Sequence, residues 1–170
     1  QLDQLIYMRF YNHHIRIRHR AWIHGNRNRQ RGSLVITPED SGRWKGYYAR
    51  SDVWMVLTDI QLEFRPIGRD NDSLVCGHGH DEVGIYKIVG LYCPYSGVIA
   101  FSKRYRFDWG YYPNNGNVIE YRGRRASPEV GIRGSWSLAD RSCSGWFHIW
   151  SGSSEPASLF TENDPVSVKT

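Results

Sequence analysis

From Gly42 to Gly152, apolar and polar residues alternate in eight short segments, each closed by a cluster drawn from Gly, Pro, Asn, Asp and Ser. Period two is the pattern of β-strands with one buried face, and the turn clusters mark where the chain reverses. The segments cover residues 43–50, 52–67, 73–80, 83–93, 98–107, 118–125, 131–139 and 146–152. Short connections favour antiparallel pairing of neighbours in sequence. An open meander would leave two unpaired edges, and closure into a barrel removes both. The sequence therefore predicts an all-β fold, an antiparallel up-and-down β-barrel of about eight strands, with a β-sandwich as the alternative. The 7 Trp, 11 Tyr, 6 Phe and 17 Gly suit twisted sheets better than helices. In "DVWMVLTDIQLEFRPI", Trp54, Val56, Thr58, Ile60, Leu62 and Phe64 are expected on one face. Gly77 and Gly79 are expected to bend or bulge "SLVCGHGH".

Charge divides the chain differently. Residues 1–33 carry seven arginines (Arg9, Arg16, Arg18, Arg20, Arg27, Arg29, Arg31) against the single acid Asp3, whereas the rest carries 15 basic and 16 acidic side chains. The net +5 thus belongs to an arm, and three regions are expected: an Arg-rich N-terminal arm at 1–41, the barrel at 42–152 and a polar tail at 153–170. Within the arm, Leu2, Leu5, Ile6 and Phe10 have helical spacing. In "HHIRIRHRAWIHG", Ile15, Ile17, His19, Ala21 and Ile23 alternate with Arg16, Arg18, Arg20 and Trp22, which predicts a strand with one cationic face. Arginine binds phosphate bidentately and stacks on bases, so Arg16, Arg18, Arg20, Arg27, Arg29 and Arg31 are candidate anion- or partner-binding residues. An arm of this kind also orders against an acidic protein partner.

The order "RWKGYY … GHGHDEVGIYKIVG … GVIAFSKRYR … VIEYRGRR … GIRGSW … GWFHIW" resembles the small barrels of the calycin kind, the lipocalin and avidin relatives. The pieces that carry the likeness are "GRW" at 42–44, "KRY" at 103–105 and "GSW" at 134–136, and it spans about residues 42–150. The resemblance implies an up-and-down barrel with an early Trp-bearing strand closing one end. The first strand departs from the lipocalin form, because a turn follows "GRWKGYY" directly, and no ligand set can be carried over residue by residue.

Three groups of residues could carry chemistry within the barrel region. Cys76, His78 and His80 alternate along one segment and would share a face, a pattern able to offer Zn or Cu soft and imidazole ligands, with Asp81 as an orienting neighbour. Gly77, Gly79 and a polar strand end explain the same stretch without a metal. The aromatic positions Trp44, Trp54, Tyr86, Phe101, Tyr105, Tyr121 and Trp136, with Lys103, could line a ligand cavity, although an eight-stranded barrel is just wide enough to be filled by its own side chains. On an apolar face Lys103 needs an acidic partner such as Glu63, Asp81 or Glu120.

Catalytic signatures are absent: the chain has no nucleophile elbow, P-loop, dinucleotide fingerprint or His-Glu-x-x-His. The expectation is a non-catalytic binding or scaffold protein, an accessory subunit docking through its basic arm on a larger assembly, with protein subunits as partners and no cofactor. A nucleic-acid binder and a carrier of small apolar ligands are the alternatives. No run of 18 apolar residues predicts a membrane-spanning helix. Three cysteines do not make a disulfide framework, and an intracellular or organellar setting is expected, the first residue being Gln rather than Met through loss of a leader or because the chain is a fragment.

Overall fold

The computed structural model describes residues 41–50, 53–67, 72–81, 83–106, 118–127 and 131–152. Among the described residues eight strands form: β1 (Gly42–Arg50), β2 (Val53–Ile67), β3 (Asp72–Asp81), β4 (Gly84–Cys93), β5 (Val98–Tyr105), β6 (Val118–Ser127), β7 (Gly131–Leu138) and β8 (Ser144–Ser151). Each pairs antiparallel with the next, and β8 pairs with β1, which closes the barrel. The expected architecture is thus present, and a sandwich is excluded by the β1–β8 ladder. Closed, eight-stranded and antiparallel, the barrel is compatible with the calycin-like resemblance at the level of fold. The arm and the tail lie outside the described residues. Among the described residues no helix is long and apolar enough to cross a membrane.

Alternation places one set of side chains inside. Trp44, Leu62, Phe64, Val75, Ile88, Tyr92, Ile99, Phe101, Tyr121, Ile132, Trp136, Phe147 and Ile149 form a continuous buried cluster. Its rings meet in the geometries that aromatic quadrupoles favour. Phe101 stacks on Tyr121 at 4.7 Å, Phe147 meets Tyr121 edge-on at 5.1 Å, and Phe64 lies between Trp44 (5.8 Å) and Tyr92 (6.1 Å). Trp136 Nε1 donates to the Ala49 carbonyl at 3.0 Å, so the buried indole is satisfied.

β2 departs from strict alternation. Trp44 opposes Ile60 but Gly46 opposes Leu57, so residues 58 and 59 both face Lys45. This bulge puts Asp59 at φ 54, a left-handed conformation that Asp tolerates better than most residues. The extra residue turns the remainder of the strand over. Ile60, Leu62 and Phe64 point inward with Leu57, while Val56 is 60% exposed and Trp54, opposite Ala49, joins it outside. The single continuous face expected from Trp54 to Phe64 is therefore corrected.

β3 is the converse. Its ladder to β4 runs without a shift from Ser73↔Tyr92 to Asp81↔Gly84, so Gly77 and Gly79 introduce no bulge. They give room instead. A Cβ on Gly79 would stand 2.5 Å from the Tyr86 hydroxyl, and one on Gly77 would stand 2.7 Å from a Leu62 methyl.

Meander topology assigns the barrel two unlike ends. One carries the β1–β2, β3–β4, β5–β6 and β7–β8 connections. The other carries the β2–β3, β4–β5 and β6–β7 connections together with the start of β1 and the end of β8, where Trp44 pairs with Ser151.

Candidate functional site: a buried Asp–Lys–Tyr cluster

An ion pair lies in the interior near the first of these ends. In β5, Phe101, Lys103 and Tyr105 share the inward face, and in β3 the inward series Val75, Gly77, Gly79 ends at Asp81. Lys103 Nζ donates to Asp81 Oδ2 at 2.5 Å, with side-chain exposures of 4% and 6%. Tyr105 donates its hydroxyl proton to the same oxygen at 2.8 Å. The other carboxylate oxygen, Oδ1, accepts the backbone N–H groups of Val83 (3.0 Å) and Gly84 (3.3 Å), the Asx-turn arrangement that reverses β3 into β4. One side chain therefore closes a hairpin with one oxygen and neutralises an interior charge with the other. Of the partners anticipated for Lys103, the structure selects Asp81.

Aromatic faces complete the shell. Lys103 Nζ stands 3.9 Å from the Tyr86 ring centroid and 4.7 Å from that of Tyr105, within the range of cation–π attraction. Burial raises the hydroxyl pKa of Tyr86, Tyr105 and Tyr121 well above the usual tyrosine value, and the Asp81 charge adds to it at all three. These phenols are donors that keep their protons, so they cannot serve as bases near neutral pH.

The space beside the cluster is small. A cavity of about 10 Å³ is lined by Leu57, Ile60, Tyr86, Ile88, Phe101, Lys103, Tyr121 and Ile149, room for about one water molecule. Of the residues proposed to line a ligand cavity, Trp44, Tyr86, Phe101, Lys103, Tyr105, Tyr121 and Trp136 do face inward, but they pack against one another. Trp54 lies outside because of the bulge in β2.

Cys76, His78 and His80 project from the outer face of β3, opposite Glu63, Gln61 and Ile85 respectively. The unbroken strand spreads them, since alternate residues are about 7 Å apart and Cys76 and His80 about 13 Å. They do not converge on one ion, and Asp81 turns inward rather than toward them. Among the described residues no group of three or more His, Cys, Asp or Glu side chains could hold a metal. Arg16, Arg18, Arg20, Arg27, Arg29 and Arg31 lie outside the described residues.

Sequence reasoning passed over the outer face of β5 to β8. There Arg124, Arg133 and His148 are successive cross-strand partners, followed by Tyr47 of β1, and the next row holds Arg122, Ser135 and Trp146. On the β5 side the partners of Arg124 and Arg122 are Val98 and Ala100, and Glu120 pairs with Arg122 at 3.0 Å. His148 and Tyr47 bracket Trp150 at ring distances of 5.0 and 5.7 Å. The signal was present as alternating arginines in "YRGRR", read only as strand period. The chain matches no family model, no curated protein and no solved structure with which it was compared.

Proposed function

We propose that this chain is a non-catalytic β-barrel scaffold, an accessory subunit that docks on a larger assembly through basic surface. The observation that carries this reading is the filled interior. Among the described residues, the cavity beside Lys103 admits about one water, and the Lys103 and Asp81 charges are paired with each other. A barrel so occupied leaves recognition to its outside, where Arg124 and Arg133 are cross-strand partners and Arg122, in the next row, pairs with Glu120. The Arg-rich arm adds charge of the same sign. Kinship with the calycins belongs to the same proposal and rests on the closed meander and "GRW" at its start.

Nucleic acid is the second reading. Trp146, 39% exposed, shares a cross-strand row with Arg122, and aromatic rings beside arginines are how sheets stack single-stranded bases. The test is affinity purification of the native chain from its source beside an Arg16→Ala, Arg18→Ala, Arg20→Ala variant, with and without nuclease. A stoichiometric protein partner that resists nuclease and is lost in the variant is the expected result. Recovery of nucleic acid alone favours the second reading, and recovery of both chains bare overturns the scaffold.

A further inference from the structure

A group of nitrogen donors lies on the outside of the wall, away from Asp81 and Lys103. β8 turns His148 and Trp150 outward, since Phe147 and Ile149 belong to the core. Both are nonetheless only 3% exposed. Arg133 of β7 and Tyr47 of β1 stand on either side of His148, and Arg124 of β6 opposes Arg133 in turn. Lys45 of β1 opposes Trp150. On its β7 side Trp150 adjoins Gly131, which has φ 80. A Cβ there would stand 2.8 Å from the Trp150 Cβ and 2.3 Å from the Ile149 carbonyl oxygen. That flank of the indole is therefore bare backbone, and Arg133 follows about 7 Å further along the same face.

Trp150 Nε1 is buried and meets no protein acceptor. A buried N–H without an acceptor costs free energy, and natural folds rarely leave one. The other buried indole shows the contrast, since Trp136 Nε1 reaches the Ala49 carbonyl at 3.0 Å. The Trp150 ring lies 5.0 Å from that of His148 and 5.7 Å from that of Tyr47, so its N–H belongs to this group whichever way the ring is turned. The setting favours a charged acceptor. Arg124 and Arg133 stand directly opposite each other, an arrangement that repels, and Lys45 adds a cation on the same face. An anion among them offsets the repulsion and accepts the indole proton together. Hydrogen bonds to an ionised acceptor are also roughly twice as strong as those to a neutral one.

We propose that the outer face of β7, β8 and β1 is an oxyanion site. Trp150 Nε1 and the Arg133 guanidinium hold the anion beside the Gly131 backbone, with His148 and Lys45 at its margin. The ligand is a carboxylate, phosphate or sulfate group, because one oxygen must accept from the indole and others from the arginine fork. Arg133 can do this whatever else it holds, since a guanidinium carries five N–H donors. The oxygens have two possible sources of the same chemistry, a free anion or a carboxylate of protein origin. The inference does not rest on the scaffold reading, because the indole needs its acceptor whether or not the barrel docks on a partner.

Thermal and urea unfolding of the full chain test the site, with chloride at matched ionic strength as the control. Trp150→Phe keeps the ring and deletes the N–H, and Arg133→Gln deletes the charge. For a free anion, inorganic phosphate or sulfate should raise the Tm of the unaltered chain saturably, by about 3 °C or more. The half-saturating concentration should then rise at least tenfold in each variant. For a protein carboxylate, phosphate should add nothing beyond chloride, and the two changes should be coupled in chloride alone, the double variant losing clearly less than the two single losses added together. Either result supports the oxyanion and names its source. The proposal is overturned if phosphate and sulfate act no more than chloride and the two changes are additive, which is the behaviour of an indole satisfied by water. It is overturned equally if phosphate stabilises both variants as much as the unaltered chain, which puts the anion elsewhere. Should Arg133→Gln fail to fold, Arg133→Lys, which keeps the charge and loses the fork, takes its place in the same comparison.

Discussion

Asp81 and Lys103, 22 residues apart in sequence, meet at 2.5 Å inside the barrel and bind the β3–β4 turn to the inward face of β5. An ion pair in this setting is worth more as a constraint than as a source of stability, because desolvating both ions offsets their attraction. Its energetic signature is therefore asymmetric. Asp81→Ala strands an ammonium and frees two turn amides, and should destabilise by about 3–5 kcal/mol. Asp81→Ala with Lys103→Met should cost clearly less than the two single changes added together. Urea unfolding of the four proteins in the cycle measures this, and strict additivity contradicts the pairing.

Trp44 and Trp54 separate the two readings of β2. Trp44→Ala opens a hole in the core and should cost about 3–5 kcal/mol. Trp54→Ala, on the outer side of the bulge, should cost less than half as much. Equal losses in denaturant unfolding would mean that β2 alternates without interruption.

Gly79 faces Tyr86 with no space for a methyl group. Gly79→Ala should destabilise by about 1–3 kcal/mol through overpacking. Adding Tyr86→Phe removes the oxygen nearest the new Cβ and should return part of the loss. A thermal scan that finds Gly79→Ala neutral would show that the strands separate more easily than this packing allows.

Alkaline pH should weaken the fold through its tyrosines. Burial raises Tyr86, Tyr105 and Tyr121 above their unfolded value, which is about 10. Below that pH both states hold the protons, and this contribution is level. Above it the unfolded chain releases protons that the folded chain keeps, so the unfolding free energy falls as pH rises. Denaturant midpoints between pH 8 and 11.5 should be flat and then decline. Tyr121→Phe should soften the decline.

His78 and His80, exposed on β3, serve as the control for the metal reading. The pair of changes His78→Ala and His80→Ala should shift stability by no more than about 0.5 kcal/mol. Calorimetric titration with Zn should give the same isotherm with and without these two changes.

Strand count, order and nearly all boundaries were legible because alternation and turn chemistry are local properties. The bulge at Asp59 was not, since Asp tolerates positive φ but mostly adopts negative φ, and a period-two count carries straight across Thr58 and Asp59. Lys103 showed that it faced inward and needed an acid. Only the hairpin register, Asp81 opposite Gly84, decides among Glu63, Asp81 and Glu120. For the histidines, i, i+2, i+4 spacing guarantees a shared face but, on a straight strand, not a shared point. The burial of Leu91, Cys93, Val98 and Ala100 on the outer face of β4 and β5 is not legible in a period-two count, which assigns their phase to solvent.

A meander with an even number of strands hands the chain back where it took it up. Trp44 and Ser151, near the first and last positions of the wall, are cross-strand partners. The barrel can thus be spliced as a plug into a surface loop of another domain without stretching either junction. By the same geometry a short linker could join those ends while a new break opens at the distal turn beside Val83. Such a permuted chain would place Asp81 at one terminus, and its ability to close would measure how far the Asx turn, rather than the order of synthesis, sets the circuit.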